Sequence, residues 1–372
     1  MGRHLVLIGG GHAHMVTLAN IEQLVQHGHQ VTVVGPSRHH YYSGMGPGML
    51  GGTYRPEEIR FATQHMVEKQ GGHFILDQAT RIDPRQQTVF LAEGQTLNYD
   101  VLSFNAGSFV PRDIAAGDHP NLFTVQPIEK LLSAQERIKT LIAQKPIQVG
   151  IVGGGPSAAE LAGNIRQLVP QGSANTLTLK VFCGQGLMAG FPPGVRGRIS
   201  RSLARRNVAL IENDYVSAIS DGEIRTKSGQ RHAADVVFLA LGVRPSQIFS
   251  DSGLPTGPDG GLRVNRYLQC IDYPNLYGGG DCIYFEDQPL DKVGVYAVRQ
   301  NPILLHNLTA ALEERDDLKP FEPGGDYLLI FNMGGGEGVL KKRWLTFGGR
   351  LAFVIKDRID RRFMEKFQAL EK

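Results

Sequence analysis

The sequence predicts an α/β protein of two doubly wound, three-layer domains followed by a short C-terminal α/β segment. Two observations predict it. The apolar run Leu5–Ile8 enters the glycine triplet Gly9–Gly11 and then a helical pattern, and 144 residues further on Ile147–Val152 enters Gly153–Gly155 in the same way. Each unit continues into short strands and closes on an apolar strand ending in glycine, at Ala106-Gly107 and at Leu241-Gly242. A repeat of this length points to duplication of one strand–turn–helix–strand unit.

Composition agrees with a folded, multi-domain chain. The 372 residues are 41% hydrophobic and 20% charged, and the 46 glycines cluster in short runs. A net charge of +3, with no Arg/Lys block interleaved with aromatics, gives no reason to expect a nucleic-acid partner. No apolar run reaches eighteen residues, so no membrane-spanning helix is expected. The first apolar run is four residues long and leads into a glycine turn, unlike a secretory leader. Cys183, Cys270 and Cys282 form no Cys-x-x-Cys pair, which points away from a disulfide framework and toward a cytoplasmic setting.

In chain order, the first unit comprises a strand at 5–8, the turn 9–11, a helix to Gly28 and the strand QVTVVG at 30–35. Glycine turns of this kind let backbone N–H groups approach a pyrophosphate at a helix N-terminus. His14 fills the last position of the Gly-x-Gly-x-x-Gly/Ala pattern, so this first fingerprint is imperfect. His12 and His14 read as packing or hydrogen-bonding groups at the turn. The second strand ends at Gly35-Pro36 without the usual ribose-binding acid, leaving Ser37, Arg38 or backbone to meet a ribose. The Gly/Met/Pro stretch 43–52 is expected to be irregular, its glycines, with Ser43 and Gly44 at the start, admitting a flat ligand. His39 and His40 diverge and have no carboxylate or cysteine at ligand spacing, so no metal site is expected.

Residues 73–104 alternate as short strands, and Ile128–Gln144 has helical spacing. The second unit satisfies the glycine pattern in full: Gly153-Gly-Gly155-Pro156-Ser157-Ala158 opens a helix that carries Glu160. Its second strand, LTLKVF, likewise ends without an acid, at Cys183-Gly184. A hairpin-and-strand layout follows over 207–245. The segment Tyr273–Cys282 reads as a strand ending in glycines and Asp281, which either accepts hydrogen bonds from ligand hydroxyls or caps a turn. From about Val295 a helix is expected.

With these motifs in order, the chain resembles the two-dinucleotide-domain flavoproteins of the pyridine nucleotide–disulfide oxidoreductase superfamily, from residue 4 to about 312. Type II NADH:quinone oxidoreductases and the flavoprotein domain fused to selenophosphate synthetase are the most similar members, the latter at GGGHAH, YYSGMGPGML, GVYAVRQNP and KDRIDRRFM. The resemblance implies two Rossmann-like domains, an FAD-binding one at 1–115 and 266–325 and an NAD(P)H-binding one at 116–265, with 326–372 as a C-terminal segment. It implies FAD against Gly9, Gly11, His12, Ala13, Ser37, Arg38, Ser43, Gly44, Thr80, Asn105, Ala106, Gly107, Gly280, Asp281, Val295 and Tyr296. It implies NADH or NADPH as co-substrate against Gly153, Gly155, Pro156, Ser157 and Gly242. The disulfide reductases carry Cys-x4-Cys where this chain has Ser43–Leu50, so a dithiol relay is not expected.

The implied chemistry is electron transfer from NAD(P)H through FAD to a quinone or similar acceptor. Glu160 is the candidate for orienting the nicotinamide or passing a proton, against a solvated first-turn acid. Lys292 is the candidate cation for a reduced flavin, and Gln300 with Asn301 for the edge of the acceptor pocket. Two alternatives stand beside this: oxidation of a sulfide or selenium species at the flavin through Cys282 or Cys183, and flavin binding without turnover. The strand ends without acids leave NADPH open, and also a vestigial nicotinamide site.

The last 32 residues hold ten Lys/Arg against four Asp/Glu. Ile355, Ile359, Phe363, Phe367 and Leu370 fall on one expected helical stripe with basic residues opposite. Such a helix either lies on a membrane surface, making the protein peripheral on the cytoplasmic face, or packs its stripe on the first domain or a second subunit.

Overall fold

A computed structural model describes residues 2–115, 117, 119–169 and 176–371. Two five-stranded parallel sheets organise it. In the first the spatial order is Leu276–Gly278, Val101–Phe104, His4–Ile8, Gln30–Gly35 and His73–Leu76. In the second it is Leu122–Thr124, Val236–Leu239, Ile147–Val152, Leu177–Cys183 and Val208–Glu212. Four strands follow the same order in both when read from the glycine-turn strand, as duplication requires. The fifth, outer strand comes from late in the chain in the first sheet and from ahead of the glycine-turn strand in the second. The central strands are buried on both faces, and their near-continuous Val/Ile/Leu runs follow from that. Each sheet carries a three-stranded antiparallel appendage, at 79–98 and at 216–233. Ser108–Phe109 pairs with Arg244–Pro245, stitching the two halves together.

Both glycine turns are forced by close approach. Gly9 (φ +88°) leaves no room for a Cβ against the Asn105 carbonyl, and Gly153 (φ +138°) none against the Ala240 carbonyl. Each turn is thus pressed onto the end of the neighbouring strand in its own sheet.

Three expectations are corrected. The first helix is two short ones, Met15–Leu18 and Ile21–Gln26, because the Asn20 side chain donates to the Val16 carbonyl at 2.7 Å and competes with the backbone ladder. The stretch 43–52 is regular: a 3₁₀ turn at Ser43–Met45 runs into the buried α-helix Gly46–Leu50. Pro47 suits its first turn, and the glycines serve packing, since a Cβ on Gly46 would sit 3.1 Å from Ile128 and one on Gly51 2.7 Å from Gln167. Gln135 clamps the end of this helix through the Met49 and Leu50 carbonyls.

The third correction concerns the C-terminal segment. A three-stranded antiparallel sheet over 329–349 precedes the helix Arg350–Gln368. Its buried residues are Ala352, Lys356, Asp360, Met364 and Phe367, and of the stripe read from the sequence only Phe367 is among them, with Ile355 and Phe363 half-buried. Ile359 and Leu370 of that stripe are exposed, as are Trp344 (89%), Leu351 (64%) and Val354 (58%). The three-stranded sheet packs on the second half, and the helix packs against that sheet and against the first half. Its register is set by polar partners (Tyr42, Tyr54, Glu58) that no periodicity reveals.

Candidate functional site

A cleft of about 800 Å³ opens at the carboxyl ends of the first sheet, where ligands bind in open α/β folds. Of the expected residues, Gly9, Gly11, His12, Ser37, Ser43, Thr80, Asn105, Ala106, Gly107, Gly280 and Asp281 line it. Gly294 and Ala297, beside Val295 and Tyr296, complete the wall at the start of the helix Gly294–Leu312.

Asn105 holds this wall together. Its Oδ1 accepts the Ala13 N–H at 3.2 Å, and its Nδ2 donates to the Gly279 carbonyl at 2.8 Å. One buried amide therefore joins the first glycine turn to the turn that presents Asp281. A Cβ on Gly11 would strike Asn105 Oδ1, which is why glycine stands there. Asp281 accepts from Ser108 Oγ at 3.2 Å, and burial raises its pKa from the usual carboxylate value. His14 is buried between the Gly9 carbonyl (2.7 Å) and Ser103 Oγ (2.8 Å), and burial lowers its pKa to about 4, so it is a neutral structural group.

Several candidates lie elsewhere. Ala13 is fully buried beneath the turn, and Arg38 is exposed outside the cleft lining. Gly44 turns its carbonyl toward Lys356 Nζ at 2.8 Å. Lys292 is committed to Asp259 (2.7 Å) and the Ile283 carbonyl, in a small side pocket shared with Asp281 and Tyr296. Gln300 and Asn301 are buried, Gln300 on the wall of the same side pocket. Gln300 Oε1 accepts the Gly280 N–H at 2.7 Å, and Asn301 bonds the Val16 N–H (2.9 Å) and the His12 carbonyl. The second glycine turn is apart from the cleft. Gly155 has open space where a Cβ would be, Ser157 is exposed, and Gly242 faces outward at φ +87°.

Sequence reasoning missed the polar network beside the cleft. Lys356 Nζ donates to Asp360 at 2.8 Å, and Tyr42 OH donates to the other Asp360 oxygen at 3.1 Å. Glu160 reaches toward this pair from the second half, its Oε1 accepting the Asn332 N–H at 2.7 Å. Burial raises its pKa to about 7, partly offset by Lys356. Glu160 is therefore not a solvated first-turn acid. His12 and His40 touch, with Nδ1 and Nε2 3.3 Å apart, and Phe363 stacks on Tyr42 at 4.8 Å. The Lys356/Asp360 spacing of four residues was the available signal, but it reads equally as an exposed helix pair.

The cleft fits a dinucleotide cofactor. Its walls include glycines pressed against backbone at the turn and open at Gly107 and Gly294, and an acid at the strand end. Thr63 Oγ1 and His12 Nε2, on two of its lining residues, are buried without a partner among the described residues. A family model for pyridine nucleotide-disulphide oxidoreductases matches residues 3–307. The chain belongs to this family. Membership brings FAD and NAD(P)H as cofactors and oxidoreduction as the chemistry. Ferroptosis suppressor protein 1 of Taeniopygia guttata is 27% identical over 300 residues, 77% of this chain and 76% of that protein. The sulfide:quinone oxidoreductase of the hyperthermophilic bacterium Aquifex aeolicus superposes with TM-score 0.80 at 20% identity, covering 99% and 92% of the two chains. NDH2 of Plasmodium falciparum, solved with NADH, gives TM-score 0.87 at 13% identity, covering 100% and 97%.

Despite the family's name, this member holds no disulfide. Cys183, Cys270 and Cys282 are free and buried, and burial pushes the Cys183 thiol to about 11 and the Cys282 thiol to about 12. Protonated, enclosed thiols are poor nucleophiles.

Replacing Asn105 by Ala strands the Ala13 N–H and the Gly279 carbonyl, at about 1–3 kcal/mol for each group left without a partner. Asn105→Ala is expected to lower the melting temperature and the flavin retained on gel filtration, measured by absorbance ratio.

Proposed function

We propose that this chain is a flavoenzyme that takes electrons from NAD(P)H and delivers them to a quinone, without a redox-active disulfide. The observation that carries the reading is a cleft of dinucleotide-binding form with a titratable network behind its wall, joined to Tyr42 and the Gly44 carbonyl on either side of the lining residue Ser43. FAD supplies hydride acceptance and onward release of electrons singly or in pairs. Gly9, Gly11 and Asn105–Gly107 would hold its pyrophosphate side, with Asp281 on the ribityl hydroxyls. The second glycine turn, accessible at Gly155 and Ser157, would take the nicotinamide nucleotide.

The chain's own groups then handle protons. Reduction of a quinone to a quinol consumes two protons, and a general acid works best with a pKa near the working pH. Glu160, at about 7, meets that condition, while His12 and His40, lowered to about 3 and 4 by burial, stay neutral. The Asn332 N–H holds one oxygen of the Glu160 carboxyl, which faces the Lys356–Asp360 pair, and that pair continues to Tyr42. A sulfur substrate would have to react without a thiolate from Cys183 or Cys282, which favours the quinone reading.

No helix among the described residues is long and apolar enough to cross a membrane. We place the quinone's source at a membrane surface, met by exposed Trp344, Leu351 and Val354 with Arg343, Arg350 and Arg358 close by in sequence. A homodimer is the competing use of that apolar patch.

Anaerobic NADH or NADPH is expected to bleach the flavin band near about 450 nm, and a soluble quinone to restore it. Bleaching by sulfide but by neither nucleotide would overturn the proposal, and bleaching by none of them would leave a non-catalytic flavoprotein. For Glu160, the folded protein binds its proton more tightly than the unfolded chain does, so stability falls as pH rises from about 4.5 through about 7. Glu160→Gln should abolish that loss in urea titrations and remove the inflection near pH 7 from kcat. Trp344→Ala should reduce co-flotation with anionic vesicles while leaving soluble-quinone turnover unchanged.

A further inference from the structure

The strand Leu177–Cys183 ends without the carboxylate that commonly holds an adenosine ribose. In the sheet, however, Cys183 pairs in register with Glu212, the last residue of the neighbouring strand. Glu212 Oε1 accepts the Leu187 N–H at 2.9 Å and lies 3.3 Å from where a Cβ on Gly186 would stand. The intervening segment 184–188 folds back onto the second glycine turn. Met188 N–H donates to the Gly154 carbonyl at 2.6 Å, and a Cβ on Gly154 would come within 2.9 Å of the Gly186 oxygen. One short segment thus links the glycine turn to Glu212, whose Oε2 has no partner among the described residues.

A second group stands beside it. Tyr215 is 47% exposed, yet its ring lies over Gly184, where a Cβ would sit 2.5–2.7 Å from three ring atoms. Lys227 Nζ lies 5.3 Å from the centroid of that ring. A half-exposed aromatic ring and a carboxylate on the same segment are the pair an adenosine needs, since the base can stack on the ring once the Lys227 side chain swings aside and the acid accepts from ribose hydroxyls. A 2′-phosphate would instead bring about two negative charges against the carboxylate. Arg196 is a countervailing charge, 3.8 Å from the Gly186 Cβ position, but it lies farther from it than Glu212 does.

We propose that Glu212 and Tyr215 form the adenosine subsite of the second glycine turn, and that Glu212 makes the chain select NADH over NADPH. This rests on the reading that the second unit takes a nicotinamide nucleotide. The acid absent from one strand end is supplied by the next.

The test is isothermal titration of the flavin-loaded protein with ADP and with 2′,5′-ADP, beside KM for NADH and NADPH. ADP should bind at least about tenfold tighter, as expected for a like-charge penalty on its competitor. Glu212→Gln keeps an acceptor for the Leu187 N–H and should bring the two within about threefold by tightening 2′,5′-ADP. Tyr215→Ala should weaken both by about tenfold, the order of a lost base stack, with their ratio unchanged. Equal binding of the two by the wild type, or full selectivity surviving in Glu212→Gln, would overturn the proposal. Binding of neither probe would overturn the nucleotide reading of the second unit, a failure the anaerobic bleaching titration reports separately.

Discussion

The site depends on one buried side-chain amide. Asn105 bonds two backbone groups that lie 92 and 174 residues away in sequence, and no backbone ladder could join them. A buried amide that lost either bond would pay a desolvation cost with nothing in return, so the two turns are tied to one relative position. Gln300 and Asn301 repeat the device from the helix behind, each bonding backbone of one of these turns or the short helix that follows. The glycine turn, the Asp281 turn and the helix Gly294–Leu312 therefore form one rigid frame. Rigidity of this kind is what a cofactor with a fixed reactive edge requires.

The C-terminal helix follows an inverted logic. It buries Lys356 and Asp360 and exposes Leu351, Val354 and Ile359. Burying an ion pair is seldom a net gain over packed hydrocarbon. Here the pair is tolerable because Tyr42 OH and the Gly44 carbonyl use its remaining hydrogen-bonding capacity. A helix kept only for stability would carry leucines at these positions. Ionisable groups placed there instead, with Glu160 facing them, favour a role in moving charge.

How far the sequence could be read follows from the range of the interactions involved. The two glycine turns, the parallel strands and the helix after Asp281 were legible because each depends on contacts within a few residues or on burial of a contiguous run. The helix Gly46–Leu50 was not, since its glycines reflect neighbours such as Ile128 and Gln167 that only the fold brings near. The face of the C-terminal helix failed for the same reason. Ile355, Ile359, Phe363 and Phe367 satisfy a four-residue repeat, but bonds from Tyr42, Tyr54 and Glu58 rotate the buried face onto Lys356 and Asp360. The partners of Lys292 and Gln300, Asp259 and the Gly280 N–H, were likewise out of reach, because sequence distance conceals them.

The two halves share the order of four strands yet differ where a ligand would meet them, and the difference has a physical direction. The first turn is enclosed: the buried Ala13 and Asn105 stand behind it, His40 and Thr63 flank it, and the helix from Gly294 closes one wall. Enclosure of that kind suits a resident cofactor, which the proposed function puts there. The second turn is open at Gly155 and Ser157 and covered only by the segment 184–188, held through two backbone donors. Openness of that kind suits a co-substrate, which the proposed function puts there. Duplication explains the same glycine turn occurring twice. Packing around it has made the copies unlike, one enclosed by buried side chains and a helix and the other open, a difference that suits the retained and the exchanging ligand of the proposed function.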